Sequence, residues 1–413
     1  MKKVFFALVL VAAMAISCSV EDQFVNRYLA SDTNEVNLYS IDKKDVVRVV
    51  RTVVRGGEVE ANLAKVVEIN GEKYYPVEEI AEDIFIYAKE QSLVETWEDV
   101  VQEKTLWART PASIIDDIET SHVAGLADKG EELTVTGFAS IANDGSVNRY
   151  KVSDGSAEGY VYAKYLVRSK EEADKRYKAE MYDKVHSAVR NSFGGGAAIG
   201  CDFYPVERVQ FGENKMPEAC YSLYLNNNSS VLGNIEKYIE LAKQSEINTF
   251  VIDIKDNERP DYKADAMKLY SPTNYRYAES KGEKLFKNAV KRLHEEGFYV
   301  VGRITCFKDT HLVKDNPKVA ITEKATNKPF YHNKAYWPSP YDRAVWQFNI
   351  ELAKESVRKF GFDEINLDYV RFPDRMTSVE KLIDYHNRYD ESKVQAIQRF
   401  VQYACDEIHA VGA

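Results

Sequence analysis

The sequence has little of what builds metal and redox centres: five cysteines and seven histidines among 413 residues. No Cys-x-x-Cys pair and no histidine cluster at ligand spacing occurs, so a structural zinc site of the usual pattern is excluded and no metal or cofactor is expected. Basic excess is missing too. Fifty-five Lys and Arg stand against 65 Asp and Glu, a net charge of −10, which leaves no electrostatic footprint for a phosphate backbone and argues against nucleic acid as a partner. Only 20 glycines and 11 prolines are present, too few for a collagen-like or low-complexity chain. No apolar run of 18 residues occurs beyond the N-terminus, so no membrane span is expected there. What is present, 45% hydrophobic and 29% charged residues, is the composition of a folded chain of two to three domains at about 150 residues each.

The first 17 residues read as an export leader. Lys2 and Lys3 form a positive start, Val4 to Ile16 is apolar but too short to span a bilayer, and Ser17 precedes Cys18. The segment resembles a bacterial lipoprotein signal, which implies lipid attachment at Cys18 and an exported, membrane-anchored protein of the bacterial cell envelope. Ala15 stands where such signals usually carry Leu, so ordinary cleavage with secretion is the alternative. Loss of Lys2 and Lys3 would take the net charge from −10 to −12. Of the remaining cysteines, Cys201 and Cys220 are close enough in sequence to form a bridge in an oxidising compartment, and four buried thiols is the other reading.

Residues 18–102 are expected to be a small β-rich region, with Val46, Val47, Val49, Val50, Val53 and Val54 before Gly56-Gly57 and an Asn70-Gly71 hairpin signal before Tyr74. Thr105 to Pro111, Leu133 to Gly137 and Gly159-Tyr160-Val161 before Leu166 resemble a bacterial SH3-like domain over residues 103–168. Such domains hold cell-wall material or act as spacers, and the resemblance carries no particular ligand. Residues 169–197 read as a charged helical linker ending in Gly194-Gly195-Gly196. Those glycines are not a phosphate loop, since no Lys-Ser or Lys-Thr follows them.

Residues 198–413 change to apolar strands alternating with helices, the signature of a parallel α/β architecture. Strands are expected near residues 221–225, 249–254, 299–304 and 364–369. Helices are expected near 232–244, 284–296, 341–359 and 393–409. Right-handed crossovers allow a (β/α) barrel or an open doubly wound sheet. Period two sorts each strand: Phe250, Ile252, Ile254, Ile304, Ile365, Leu367 and Tyr369 toward helices. Tyr224, Asn226, Asp253, Lys255, Arg303, Thr305, Glu364, Asn366 and Asp368 fall to the other side, toward the strand ends where barrel enzymes keep their chemistry. Other readings stand beside the functional one. Asp256 and Asp309 could cap turns or helices, Arg303 could be an ion-pair partner of Asp253 or Asp368, His311 could be a surface residue, and Trp337 could pack in a core instead of stacking on sugar.

Phe362 to Pro373 resembles the signature of a family of glycoside-hydrolase-like domains found in many uncharacterised bacterial envelope proteins. Asn248 to Asp256, Gly302 to Asp309 (with Arg303, Phe307 and Lys308) and Pro340-Tyr341 leading to Trp346 and Asn349 resemble it as well. The family is similar to α-amylase-like barrels, in which the aspartate ending the fourth strand is the nucleophile. That resemblance places the role on Asp368, with Arg303 holding it ionised and Glu364 as the nearest second carboxyl. Substrate contacts would come from Asp253, Lys255, Asp256, Tyr224, Asn226, Asn366, Asp309, Trp337 and Arg371. Asn366 stands where the amylase-like enzymes carry Arg.

Only four strand–helix units are expected in residues 198–413, whereas an eight-fold barrel takes roughly 250 residues, so the barrel is expected to be half represented. Three functions follow: hydrolysis of an envelope or extracellular polysaccharide, non-catalytic carbohydrate binding, or an envelope scaffold without sugar affinity. The first two make a polysaccharide the partner.

Overall fold

The structure, a computed structural model, describes residues 23–119, 122–177 and 202–413 except 203, 205, 207, 208, 210, 212, 213, 227, 258, 261 and 279. The expected leader with Cys18, Gly194-Gly195-Gly196 and Cys201 lie outside the described residues. Two compact units divide the chain. One runs up to Lys104 and includes Val135–Tyr150; the other comprises Thr105–Thr134 and Lys151–Ala413.

The first unit is all β. Strands Val47–Val54, Glu35–Ile41, Ile84–Lys89, Glu72–Ala81 and Val67–Ile69 lie side by side in that order, and Glu58–Asn62, Phe24–Leu29 and Leu93–Val94 form a smaller sheet. The hairpin signal is used as such: Asn70 and Gly71 both take positive φ, 54° and 82°, the backbone of a tight two-residue turn. Leu29, Val36, Leu38, Ile86 and Ala88 form its small core.

The second unit begins in β structure: Val123–Ala127, Ala112–Ile115 and Glu158–Tyr162 lie side by side, and Thr105–Ala108 pairs with Leu166–Val167. Ser169 then caps a short helix, Lys170–Asp174. Of the expected charged linker, residues 169–177 are described.

The rest of this unit is parallel α/β. Four strands, β1 (Ser222–Leu225), β2 (Thr249–Asp256), β3 (Tyr299–Thr305) and β4 (Glu364–Asp368), pair in sequence order. All three pairings are parallel. Connecting helices are α1 (Ile235–Lys243), α2 (Asp265–Tyr270), α3 (Pro272–Tyr277), α4 (Gly282–Glu295), α5 (Thr310–Asp315), α6 (Arg343–Phe360) and α7 (Lys393–His409). Their ends are written in the sequence: Asp342 caps α6, Gly361 closes it at φ 78°, and Ser392 with Gln395 forms a capping box on α7.

Phe250, Ile252, Ile254, Val300 and Ile304 form one core with Phe286, Leu293, Trp346, Phe348 and Phe400 from the helices. The helices therefore cover one face of the sheet. The opposite face carries the polar alternates, with Tyr224 51% exposed and Asn366 also exposed. Among the described residues this sheet is open, not a closed barrel.

The cysteines differ from the buried-thiol reading. Cys306 is buried, but Cys220 and Cys405 are exposed, and all three are free. Burial pushes the Cys306 thiol up to about 12, which makes it a packing residue and not a nucleophile.

Candidate active site

Strand register builds the site. Asp253 on β2 lies opposite Arg303 on β3, and Thr305 opposite Asp368 on β4, so three charged side chains from adjacent strands gather toward the carboxyl end of the sheet on the face opposite the helix core. Arg303 bridges them. Its Nη1 donates to Asp253 Oδ1 at 2.6 Å, while Nε and Nη2 donate to Asp368 Oδ2 at 2.9 and 2.6 Å. Asp256 comes within 3.6 Å of the same guanidinium. Tyr224 donates its hydroxyl to Asp253 Oδ2, and its ring lies 5.8 Å from the guanidinium carbon.

The two aspartates sit in unlike surroundings. The Asp253 side chain is 1% exposed and that of Asp368 is 44% exposed. Burial dominates at Asp253 and raises its carboxyl above the usual aspartate value, against the hydrogen bonds from Tyr224 and Arg303. Burial also acts against the Asp368 charge, yet the hydrogen bonds from Arg303 and the Tyr369 N–H, with the Arg303 and Arg371 charges, outweigh it and lower that carboxyl. Two carboxyls pushed in opposite directions is a pattern of acid–base sites. Tyr369 N donates to Asp368 Oδ1 at 2.6 Å, and Tyr369 itself takes φ 52°, a left-handed backbone that costs energy for a bulky residue and clusters at functional sites.

Several residues expected in the site are placed elsewhere. Lys255 and Asp309 are fully buried and paired at 3.2 Å. Lys255 also donates to Thr305 O at 2.6 Å. Asp309 caps α5 by accepting from Leu312 N and takes two hydrogen bonds from Asn274. Neither has a polar atom open to a sugar hydroxyl; the pair ties the loops after β2 and β3 together. Trp337 is 2% exposed, packs with Ile321, Ala335, Met376 and Ile383, and donates to His332 O at 2.9 Å, the core alternative.

Glu364 begins β4 four residues before Asp368, about 13 Å back along the strand, and accepts from the Tyr299 hydroxyl at 3.2 Å. That separation exceeds the roughly 5–9.5 Å at which two carboxyls share one glycosidic bond. Asn226 is exposed and engaged with Asn228 N at 3.2 Å. Arg371 is half-exposed and lies over the Trp337 and Tyr369 rings at 5.5 and 5.1 Å. His311 bonds Asn274 Oδ1 through Nδ1 at 2.8 Å and stacks on Tyr277.

Sequence reasoning missed Asn274, the buried amide that joins His311 to Asp309. Only its position near Pro272 was visible, and nothing local marks an asparagine as buried. It also passed over Lys308 as a site residue, although the position just after β3 was a usable signal. Among the described residues no group of three or more His, Cys, Asp or Glu is arranged to hold a metal, and no helix is long and apolar enough to cross a membrane.

Residues 222–413 match one family model. Its description is "putative glycosyl hydrolase domain". No curated protein matches the chain. Among solved structures, the chain is similar to a hypothetical protein from Ruminiclostridium thermocellum ATCC 27405, at 30% identity over 45% of this chain and 92% of that one, with TM-score 0.38. The chitobiase of Flavobacterium johnsoniae follows at 12% identity over 47% of this chain, TM-score 0.35, and α-L-fucosidase isoenzyme 2 of Paenibacillus thiaminolyticus at 16% over 47%, TM-score 0.32. The chain spans 30% of the length of each of these two enzymes.

Proposed function

We propose that residues 222–413 form a glycoside hydrolase domain acting on an envelope or extracellular polysaccharide. The observation that carries this reading is the Arg303 bridge between Asp253 and Asp368 at the carboxyl ends of adjacent parallel strands; the family match supports it. Asp368, held ionised and half-open, attacks or stabilises the anomeric carbon. Arg303 positions it, and buried Asp253 with Tyr224 positions Arg303. Cleavage needs a second carboxyl. Asp256, 36% exposed beside Arg303, is the open one among the described residues next to this bridge. The leader reading supports an exported protein anchored in the membrane through lipid on Cys18, and the SH3-like resemblance supports cell-wall contact by residues 103–168.

Purified full chain is incubated with peptidoglycan and with exopolysaccharide, and new reducing ends are counted. Asp368→Asn is expected to lower the rate roughly a thousandfold or more; equal rates for the two proteins overturn the assignment. A second reading, carbohydrate binding without cleavage, is favoured by Asp253, whose oxygens are both taken by Arg303 and Tyr224. It predicts saturable glycan binding with no rise in reducing ends.

A further inference from the structure

We propose that the glycan taken at this site is acidic, and that Lys308 and Arg371 receive its carboxylate or sulfate beside Asp368. The inference rests on the carbohydrate reading of the site and goes further by naming the class of sugar.

The residue after Asp368 is a fixed platform. Tyr369 is turned by its left-handed backbone, lies 6.5 Å from Trp337, and is partly buried against the cluster that Trp337 anchors. Two cations converge on this one ring: the Lys308 ammonium at 5.4 Å and the Arg371 guanidinium at 5.1 Å. Cation–π contact at a partly exposed site is weak, and two like charges over one ring repel. Among the described residues Lys308 has no carboxylate partner within ion-pair distance, and Arg371 has one, Asp374, at 3.6 Å. That carboxylate is already engaged by Asn333 at 2.6 Å. The contrast with Arg303, which three aspartates surround, is what marks this pair. Arg303 has three carboxylates about it, whereas among the described residues Lys308 and Arg371 together have Asp374 alone within ion-pair distance.

A neutral sugar hydroxyl would leave that charge uncompensated. A carboxylate or sulfate pairs with both cations, the guanidinium through its planar fork and the ammonium as a point charge. The Arg371 field already reaches Asp368, whose carboxyl it helps to lower, so the anion would be held near the bond to be cleaved.

The full chain is titrated by calorimetry with oligogalacturonate, a sulfated oligosaccharide and a neutral cello-oligosaccharide of equal length, and the same mixtures are assayed for reducing ends. The expected result is binding about tenfold tighter for an acidic probe than for the neutral one. That preference should shrink between 50 and 500 mM salt, fall to about twofold or less in Lys308→Gln, and survive in Lys308→Arg. The two acidic probes separate carboxylate from sulfate. Equal affinity for neutral and acidic probes, a preference that Lys308→Gln leaves intact, or binding of none of the three overturns the proposal. Acidic preference without cleavage sinks the hydrolase reading alone, and cleavage of neutral glycan without acidic preference sinks this inference alone.

Discussion

Arg303 donates twice to a single oxygen of Asp368, from Nε at 2.9 Å and from Nη2 at 2.6 Å, and leaves the other oxygen to the Tyr369 N–H. The carboxylate is thereby fixed in position and in charge by its neighbour on β3, and a specific pH dependence is expected from this. Asp368 lies below the usual aspartate value chiefly because Arg303 outweighs its burial. Activity that needs it ionised should persist to pH below that value. In Arg303→Gln the carboxyl rises, so the acid limb of kcat/KM moves to higher pH. An unmoved limb would separate Arg303 from the ionisation of Asp368.

The same arginine also stabilises the fold. Its Nη1 is the cationic partner of Asp253, a side chain 1% exposed, so Arg303→Met leaves a buried carboxylate with only the Tyr224 hydroxyl. Removing one partner of a buried pair costs about 3–5 kcal/mol. Urea unfolding should show a loss of that order, and Arg303→Met with Asp253→Asn should recover part of it.

Lys255 and Asp309 form another buried pair, each 0% exposed at the side chain. Lys255→Met is expected to destabilise by about 3–5 kcal/mol, with partial recovery on adding Asp309→Asn, which keeps an acceptor for the Leu312 N–H. A loss under 1 kcal/mol in the thermal midpoint analysis would show that the pair is not shielded from water.

Gly302 sits in β3 where a methyl group has no room: its Cβ would lie 2.4 Å from Ile254 Cδ1 and 3.2 Å from the Phe362 ring. Gly302→Ala should cost about 1–3 kcal/mol through overpacking, read as a lower urea midpoint. Gly297→Ala is a control for positive φ, since no atom lies within 4 Å of its added carbon.

His294 Nε2 meets Asp363 Oδ2 at 2.8 Å, and the same carboxylate oxygen accepts from Val300 N at 2.7 Å. The hydrogen bond to Asp363 raises the His294 pKa, against partial burial. The folded state therefore binds this proton more tightly than the unfolded chain does. Its stabilisation is complete below about pH 6.5, the unfolded value, and is lost as pH rises through the raised folded value. His294→Gln should accordingly lower the urea midpoint more at pH 5.5 than at pH 8.5; equal losses at both would show that the proton is not shared with Asp363.

Much of the α/β arrangement is local. The alternation Phe250, Ile252, Ile254 against Asp253, and Ile365, Leu367 against Asn366 and Asp368, assigns each strand its helix-facing and open sides because side chains alternate with period two. Asp342, Gly361 and Ser392 mark helix ends through hydrogen bonds made within a few residues. Strand β4 with its terminal aspartate was legible for the same reason.

Other features belong to distances that no short segment encodes. Lys255 and Asp253 share one face of β2 in sequence, yet Asp253 meets Arg303 while Lys255 turns into a closed pair with Asp309, 54 positions away. Trp337 looked equally suited to sugar and to core until the loops carrying Ile321, Met376 and Ile383 closed over it. Glu364 and Asp368 are neighbours by number, but an extended strand holds them apart. By itself the sequence determined the four parallel strands, the four longest helices of this region and the side of each strand on which its charges emerge, since these follow from backbone periodicity. Only the tertiary structure decided which charges are neutralised in pairs and which stay open, because burial and ion pairing depend on what strands and loops far apart in the chain bring within 4 Å.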